Sequence, residues 1–308
     1  MDWSVLANSD FYAGILRTAT PLTLAALGGV MTERSGVTNI GLEGLMLIGA
    51  FFGAWISASV GNPWVGVMGA MFFGGLIALI HGVVSIGLRG NQIISGVAIN
   101  LFGTGITGYL YETYVSNGFT NLPSIPNLKI PGLSAIPGVG PVIGVQNSIV
   151  YIMLALVAIT HLVLFHTTLG LRIRAVGEQP RAADTVGVNV YALRYLCVTI
   201  SGMLAGLGGA YLSLGLISNF SINMTSGKGF IALAAMIVGK WTPLGALTAS
   251  LLFGFGLQIQ TSQLVNVSSF ASNMVTIAPY LITLIAVAGF IGRATAPAAD
   301  GVPYDPTH

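Results

Sequence analysis

Eight runs of about 20 mostly apolar residues follow one another along this chain, near residues 11–31, 40–60, 63–88, 92–111, 148–165, 192–214, 243–260 and 272–291. Crossing a hydrocarbon core roughly 30 Å thick takes about 20 helical residues. Lipid offers no water to an open backbone, so a spanning segment must bond to itself. The runs therefore predict an all-α fold: one polytopic transmembrane helical bundle over residues 1–308, with about eight to ten spans. Composition agrees, with 54% of residues hydrophobic and 6% charged and a mean hydropathy of +0.84. Soluble domains carry roughly 25% charged residues.

Small residues let transmembrane backbones approach closely. The 42 glycines fit that use, and pairs such as Gly49 with Gly53 and Gly202 with Gly206 have the i, i+4 spacing. The single cysteine, Cys197, excludes an internal disulfide and a cysteine-rich metal site. A net charge of +2 in so apolar a chain does not suggest nucleic acid as a partner. No Lys or Arg precedes Arg17, so the basic start of a cleaved signal peptide is missing, and the first apolar segment is expected to stay in the chain.

Between the sixth and seventh long runs, the stretch from Gly229 to Gly239 is apolar but short for a span. It reads as the end of a helix starting near Ile222, or as a half-helix that enters and turns back. If it completes a crossing, alternation of spans places Arg34, Arg89, Arg172, Arg174, Arg181, Arg194, Lys240 and Arg293 on one side, eight of the eleven basic residues. Basic residues concentrate in cytoplasmic loops, so the expected orientation is N-out and C-in, with Lys129 and Lys228 outside and Arg17 near the outer interface. Residues 112–147 then fall outside. Their prolines, at 123, 126, 131, 137 and 141, forbid a continuous helix and suggest either an ordered extracytoplasmic cap or a loose loop.

The stretch from Gly170 to Arg194 is a polar island holding four of the basic residues and two carboxylates. Pro180 has no amide hydrogen to lose at a first helical position, and Gly187 can end a helix two turns later. The spacing predicts a short helix over Pro180–Val186 within a cytoplasmic loop, residues 166–191. Ala182 and Ala183 would give it a small, smooth face, with Glu178, Arg181 and Asp184 at its edges. It reads as a knob for a groove on a soluble subunit, or as an ordinary positive-inside loop with a capped turn.

The run RAVGEQPRAADTVGVNV, residues 174–190, resembles the cytoplasmic loop of bacterial ABC importer permeases of the branched-chain amino acid, ribose and nucleoside family. The matching positions are Arg174, Ala175, Gly177, Glu178, Pro180, Ala182, Ala183, Gly187, Asn189 and Val190. Two further stretches resemble the same family. One is residues 20–51, with Glu33-Arg34-Ser35-Gly36 and Asn39-Ile40-Gly41-Leu42-Glu43-Gly44; the other is residues 229–254, where a helix breaks at a Gly and another starts after a Pro.

The resemblance implies a permease subunit in the bacterial cytoplasmic (inner) membrane, surrounded by lipid. It implies a second permease subunit, in a heterodimer for the nucleoside branch, a cytoplasmic ABC ATPase and an extracytoplasmic solute-binding protein. The chain itself would bind no cofactor, since no GxxxxGK[ST] loop is present and ATP and Mg would be on the partner ATPase. The coupling residues implied are Arg174, Gly177, Glu178, Pro180, Arg181, Ala182, Ala183, Asp184 and Gly187, and Ala183→Trp is expected to leave the protein inserted but uncouple or dislodge the ATPase. Residues 32–44, TERSGVTNIGLEG, resemble the nucleoside branch, of the guanosine or purine nucleoside type, more than the ribose-like sugar or branched-chain amino acid branches.

Polar groups within spans are costly and therefore candidates for the solute path. Glu43 would line it, or pair with Arg34 or cap nearby backbone. Asn100, Thr104, Thr107 and Tyr111 recur at i, i+4, i+7 and i+11, so they share a face that lines a wet path or bonds to neighbouring helices. Asn39 is a further candidate, and Gln258 with Gln260 and Asn219 with Phe220 are weaker ones. His81, His161 and His166 read as packing or hydrogen-bonding residues. An ion-coupled secondary transporter is the rival class, supported only by the break at Lys240 to Pro243; no GxSxG or HExxH motif points to an enzyme.

Overall fold

The computed structural model describes residues 8–261 and 295–306, apart from 116–117, 120–121, 137 and 139. Among the described residues, seven helices are long and apolar enough to cross a membrane. They are α1 (Ser9–Glu33), α2 (Leu42–Val60), α3 (Pro63–Gly82, continued by a π-turn to Gly87), α4 (Gln92–Tyr114), α5 (Ser148–His166), α8 (Val190–Ala210, continued by a π-turn to Leu216) and α10 (Pro243–Thr261). Three shorter helices join them: α6 (Thr168–Glu178), α7 (Pro180–Thr185) and α9 (Lys228–Val238). The span expected at 272–291 lies outside the described residues.

Asparagine fixes where several spans begin. The side chains of Asn8, Asn62, Asn91, Asn147 and Asn189 each accept a backbone N–H in the first turn of the helix that follows, and Pro63 occupies the first turn of α3. First-turn amides have no helical partner, so a polar cap at the span end satisfies what lipid cannot.

Helix α8 is the centre of the bundle, packed on α1, α2 and α3. Its glycines make this possible. A Cβ on Gly206 would meet the Ala70 carbonyl at 2.3 Å, one on Gly202 the Gly74 carbonyl at 2.3 Å, and one on Gly49 the Gly206 Cα at 2.4 Å. The expected i, i+4 pair Gly202 and Gly206 thus lies on α3, while Gly49 meets Gly206 from α2. Any larger residue at these positions would push the backbones apart. Ser213 donates to the Ala50 carbonyl at 2.8 Å and stitches the same seam.

At the end of the bundle opposite α7, the connection after α4 includes a two-stranded ribbon. Strands β1 (Asn127–Lys129) and β2 (Val145–Asn147) pair antiparallel, with Leu128 opposite Gln146. The ribbon is tied to the bundle where Arg17 Nε donates to Gln146 Oε1 at 2.9 Å, Asn147 Nδ2 to the Ile125 carbonyl at 2.9 Å, and Ile125 N to the Leu214 carbonyl at 3.0 Å. Among the described residues of this proline-rich stretch, the ribbon is therefore held against the bundle.

The segment 34–41 does not stay at the α7 end. Arg194 Nε donates to the Ser35 carbonyl at 3.1 Å, while Asn39 Nδ2 reaches Ser201 Oγ at 3.1 Å. Those two contacts lie seven residues apart on α8, a climb of about 10 Å, so α2 starts well inside the bundle. Helix α9 is its counterpart. Its eleven residues extend only about 16 Å, from Glu43 at its N-terminus to Glu33 and Arg34 beyond its C-terminus. It is a half-length helix that matches neither reading: it starts at Lys228 and not near Ile222, and it does not turn back, since with residues 217–227 it returns the chain to the α7 end. Lys240 therefore lies with Arg34, as expected, but Lys228 sits at the depth of Glu43 and not at the far surface.

Candidate functional site

Two constructions concentrate the polar chemistry of the bundle. The first is the platform at the α7 end. Helix α5 turns sharply into α6 at Thr167, whose Oγ1 accepts from Gly170 N at 3.2 Å; a Cβ on Gly170 would meet the Val163 carbonyl at 2.0 Å. Helix α6 carries Arg172 and Arg174 and ends where Gly177 presses on the backbone of Arg34, its would-be Cβ 2.2 Å from that carbonyl. Pro180 then starts α7, which stops at Thr185, and Gly187 takes φ +84°. The predicted Pro-to-Gly helix is present, one residue shorter; α6 before it was hidden because its only marks are a Thr cap and mixed charge.

The orientation of α7 differs from the sequence expectation. Ala183 is buried, 4% exposed, among Val176, Val190 and Tyr304. It belongs to the floor of the platform and not to its outer face. Arg181, Ala182, Asp184 and Thr185 are exposed, and Val186 is 78% exposed. Beside α7 runs a groove of about 560 Å³ lined by Leu171, Arg172, Ala175, Val188 and Ala192. Arg34 and Arg174 both lie over the Phe165 ring, at 5.8 and 5.1 Å. Burial pushes the Arg34 guanidinium below its usual range, and the nearby Glu178 carboxylate opposes that shift. The surface is rimmed by charge, with Val186 and Leu171 exposed among it.

The second construction is the clamp on α9. Glu43 Oε1 accepts from Gly227 N at 2.7 Å and Oε2 from Gly229 N at 2.6 Å. A carboxylate at a helix N-terminus satisfies free amides and complements the helix dipole. Gly229 has to be glycine for this approach, since a Cβ there would fall 2.4 Å from the Glu43 backbone. At the other end Lys240 and Trp241 both adopt the left-handed region, φ 54° and 52°, which costs non-glycine residues energy. Arg34 holds that turn, its Nε donating to the Trp241 carbonyl at 2.8 Å and its Nη2 to the Lys240 carbonyl at 3.3 Å, while Trp241 Nε1 donates to Glu33 Oε2. Glu33, Arg34 and Glu43, all from residues 32–44, thus fix both ends of the half-helix. Glu43 caps backbone, one of the roles considered for it, but its partner is α9 and not Arg34.

The other polar candidates divide. Asn39 bonds Ser201 and its own Gly41 N–H, and Asn100 takes Gly44 N at 2.8 Å while donating to the Ile40 carbonyl at 3.0 Å. Both therefore build the start of α2 next to Glu43. Thr107 is buried and bonds Gly103, whereas Thr104 is exposed, so the shared face of α4 is split between packing and surface. Asn219 is exposed and caps Phe220 N, and Gln258 packs on Gly14 far from Glu43. His81 is buried, with Ser95 Oγ at 2.9 Å and the Thr38 carbonyl at 3.1 Å. His161 packs against Phe165, and among the described residues its Nδ1 has no hydrogen-bond partner.

The sequence reading missed the role of Trp241 and all of residues 298–305. The Glu33-Arg34 dipeptide was a signal for the first, being charge at the very end of a span.

Over residues 11–291 the chain matches the family described as branched-chain amino acid transport system / permease component. It belongs to that family. The guanosine ABC transporter permease protein NupQ of Bacillus subtilis is 46% identical over 301 residues, 93% of each chain. The nucleoside ABC transporter permease protein NupC of Lactococcus lactis is 41% identical over 302 residues, 95% of each. A putative glucose ABC transporter permease protein of Haloferax volcanii is 39% identical over 263 residues, 83% of this chain and 80% of that one. The permease is therefore a multi-pass membrane subunit of an ABC transporter and is not itself an enzyme.

Proposed function

We propose that this permease passes nucleosides inward across a bacterial cytoplasmic membrane, driven by ATP that binds with Mg to a separate cytoplasmic ATPase. The observation that carries the substrate class is its similarity, along nearly the whole of each chain, to relatives named for guanosine and nucleosides. The chemistry is compatible. A nucleoside is neutral, and Glu43, the carboxylate deep in the bundle, has both oxygens committed to backbone amides. Each oxygen is engaged in fastening α9, which gives this carboxylate a structural role of its own.

Orientation follows from charge. Of the ten described Lys and Arg residues, seven lie at the α7 end: Arg34, Arg89, Arg172, Arg174, Arg181, Arg194 and Lys240. That end is read as cytoplasmic, giving N-out and C-in. The exposed face of α7 then meets the ATPase, with Ala182 and Val186 seated in a groove of the partner. A solute-binding protein docks at the ribbon end. A second permease subunit and lipid share the apolar outer faces of α3 and α4, where Met68, Phe72, Ile94 and Leu101 are exposed.

Uptake of tritiated guanosine by the assembled importer in ATP-loaded proteoliposomes tests the reading. Saturable uptake competed by adenosine and not by glucose is expected. Glucose uptake without guanosine uptake would support the sugar reading that the Haloferax relative favours, and sodium-driven uptake without ATP would overturn the mechanism.

A further inference from the structure

Residues 295–306 return to the α7 end and touch nearly every element there. Ala298 N donates to Glu178 Oε2 at 3.2 Å and Ala299 N to the Gly177 carbonyl at 2.9 Å, binding the segment to the end of α6. Thr38 Oγ1 donates to Asp300 Oδ1 at 3.0 Å, reaching the climb into α2. Arg194, fully buried on α8, spends its Nε on the Ser35 carbonyl and its Nη1 on the Val302 carbonyl at 3.1 Å. Tyr304, 6% exposed, donates its hydroxyl to Asp184 Oδ2 on α7 at 2.8 Å, and its ring packs on Tyr191 at 5.5 Å. Asp305 pairs with Arg89 beyond α3.

Helix α7 itself is six residues long, and Ala183 is its only buried residue. With a turn and a half of helix and one buried methyl, the way α7 is tied to the bundle decides how a push on it is passed on. The contact that ties an outward-facing edge of α7 to the bundle is Tyr304 to Asp184. From there the segment leads without a gap to Thr38 and Ser35, and those residues lead to Glu33 and Arg34, which hold the strained turn after α9.

We propose that residues 295–306 are a transmission strap and that Tyr304 is a positioning residue of the transport cycle, coupling displacement of α7 to movement of α9. The strap fixes α7 against the 34–41 segment, so a push on α7 moves that segment and, with it, both clamps on the half-helix. This rests on the reading of α7 as the docking helix for the ATPase.

The permease offers a reporter for the test. Its one cysteine, Cys197, is fully buried, and Phe230 in the first turn of α9 is 48% exposed. In the assembled transporter carrying Phe230→Cys, maleimide labelling of residue 230 is measured with and without ATP and vanadate. We expect a change in labelling rate of at least threefold on trapping, and loss of most of that change when Tyr304→Phe is added, with ATPase copurification unaltered. Asp184→Asn should act like Tyr304→Phe, and the double variant should be no worse than either.

A trapping response that survives Tyr304→Phe overturns the strap, as does a parent with no response. Loss of the ATPase from Tyr304→Phe also overturns it, since the contact would then serve docking and not transmission. Ala182→Trp separates the underlying reading: if that variant still captures the ATPase, α7 is not the docking helix, whatever Tyr304 does.

Discussion

Two short helices of the bundle, α7 and α9, are held in opposite ways. Helix α9 is fastened at both ends by carboxylates, Glu43 on its first amides and Glu33 through Trp241, and it lies among packed helices. Helix α7 rests on Ala183 and leaves most of its surface to solvent. A broken helix inside a membrane must have its free amides satisfied by protein, whereas one at the surface can leave them to water. The contrast teaches that shortness alone says little. One short helix is short because it is clamped between partners of its own chain, the other because its face is left for something else.

The largest effect should come from breaking the clamp. Glu43→Ala leaves the buried Gly229 amide and the half-buried Gly227 amide without their acceptor, and charge-assisted bonds of this kind are worth about 1.5–3 kcal/mol each. We expect a loss of about 3–5 kcal/mol, read as a collapse of thermal stability in detergent, with Glu43→Gln intermediate. Unchanged melting would mean that α9 does not depend on this cap.

Next in size, the two alanines of α7 should separate. Ala183→Trp overpacks a closed site and should cost about 1–3 kcal/mol, lowering the melting temperature. Ala182→Trp should leave melting unchanged and reduce ATPase capture at least tenfold. Equal effects from both would erase the distinction between the floor and the face of α7. Trp241→Phe removes one buried bond to a carboxylate, and about 1–2 kcal/mol is expected in the same melting assay.

The smallest effect is pH-dependent and belongs to the strap. Burial holds the Asp300 carboxyl above its ordinary value of 3.8, against the opposing pull of Thr38 and Arg194; the Glu33 carboxyl is its other neighbour. A carboxyl with a raised folded-state pKa stabilises the docked form fully below the ordinary value, and that contribution is lost as pH rises through the raised one. Proteolytic protection of residues 295–306 should therefore weaken as pH rises from about 4, and Asp300→Asn should flatten the profile.

Much of the bundle was legible because its signals are local. Seven described spans fall within a few residues of the apolar runs, and Pro180 and Gly187 delimit α7 through backbone rules that act on one or two residues. The face of α7 was not legible, since Ala182 and Ala183 are chemically the same residue and which is covered depends on how Val176, Val190 and the distant Tyr304 come together. Glu43 could be recognised as a capping residue in principle, yet its partners at 227 and 229 are separated from it by most of the chain.

What the sequence alone determined was the membrane bundle, the charged end and the existence of a short helix in the polar island, because hydropathy, charge bias and the Pro-to-Gly signal are read one segment at a time. What only the tertiary structure decided was the depth of α2 and α9, the pairing of Glu33 and Glu43 with the two ends of one half-helix, and the path of residues 295–306 across the platform. Those depend on which distant segments meet, and in a medium that supplies no water it is such meetings that satisfy each buried polar group.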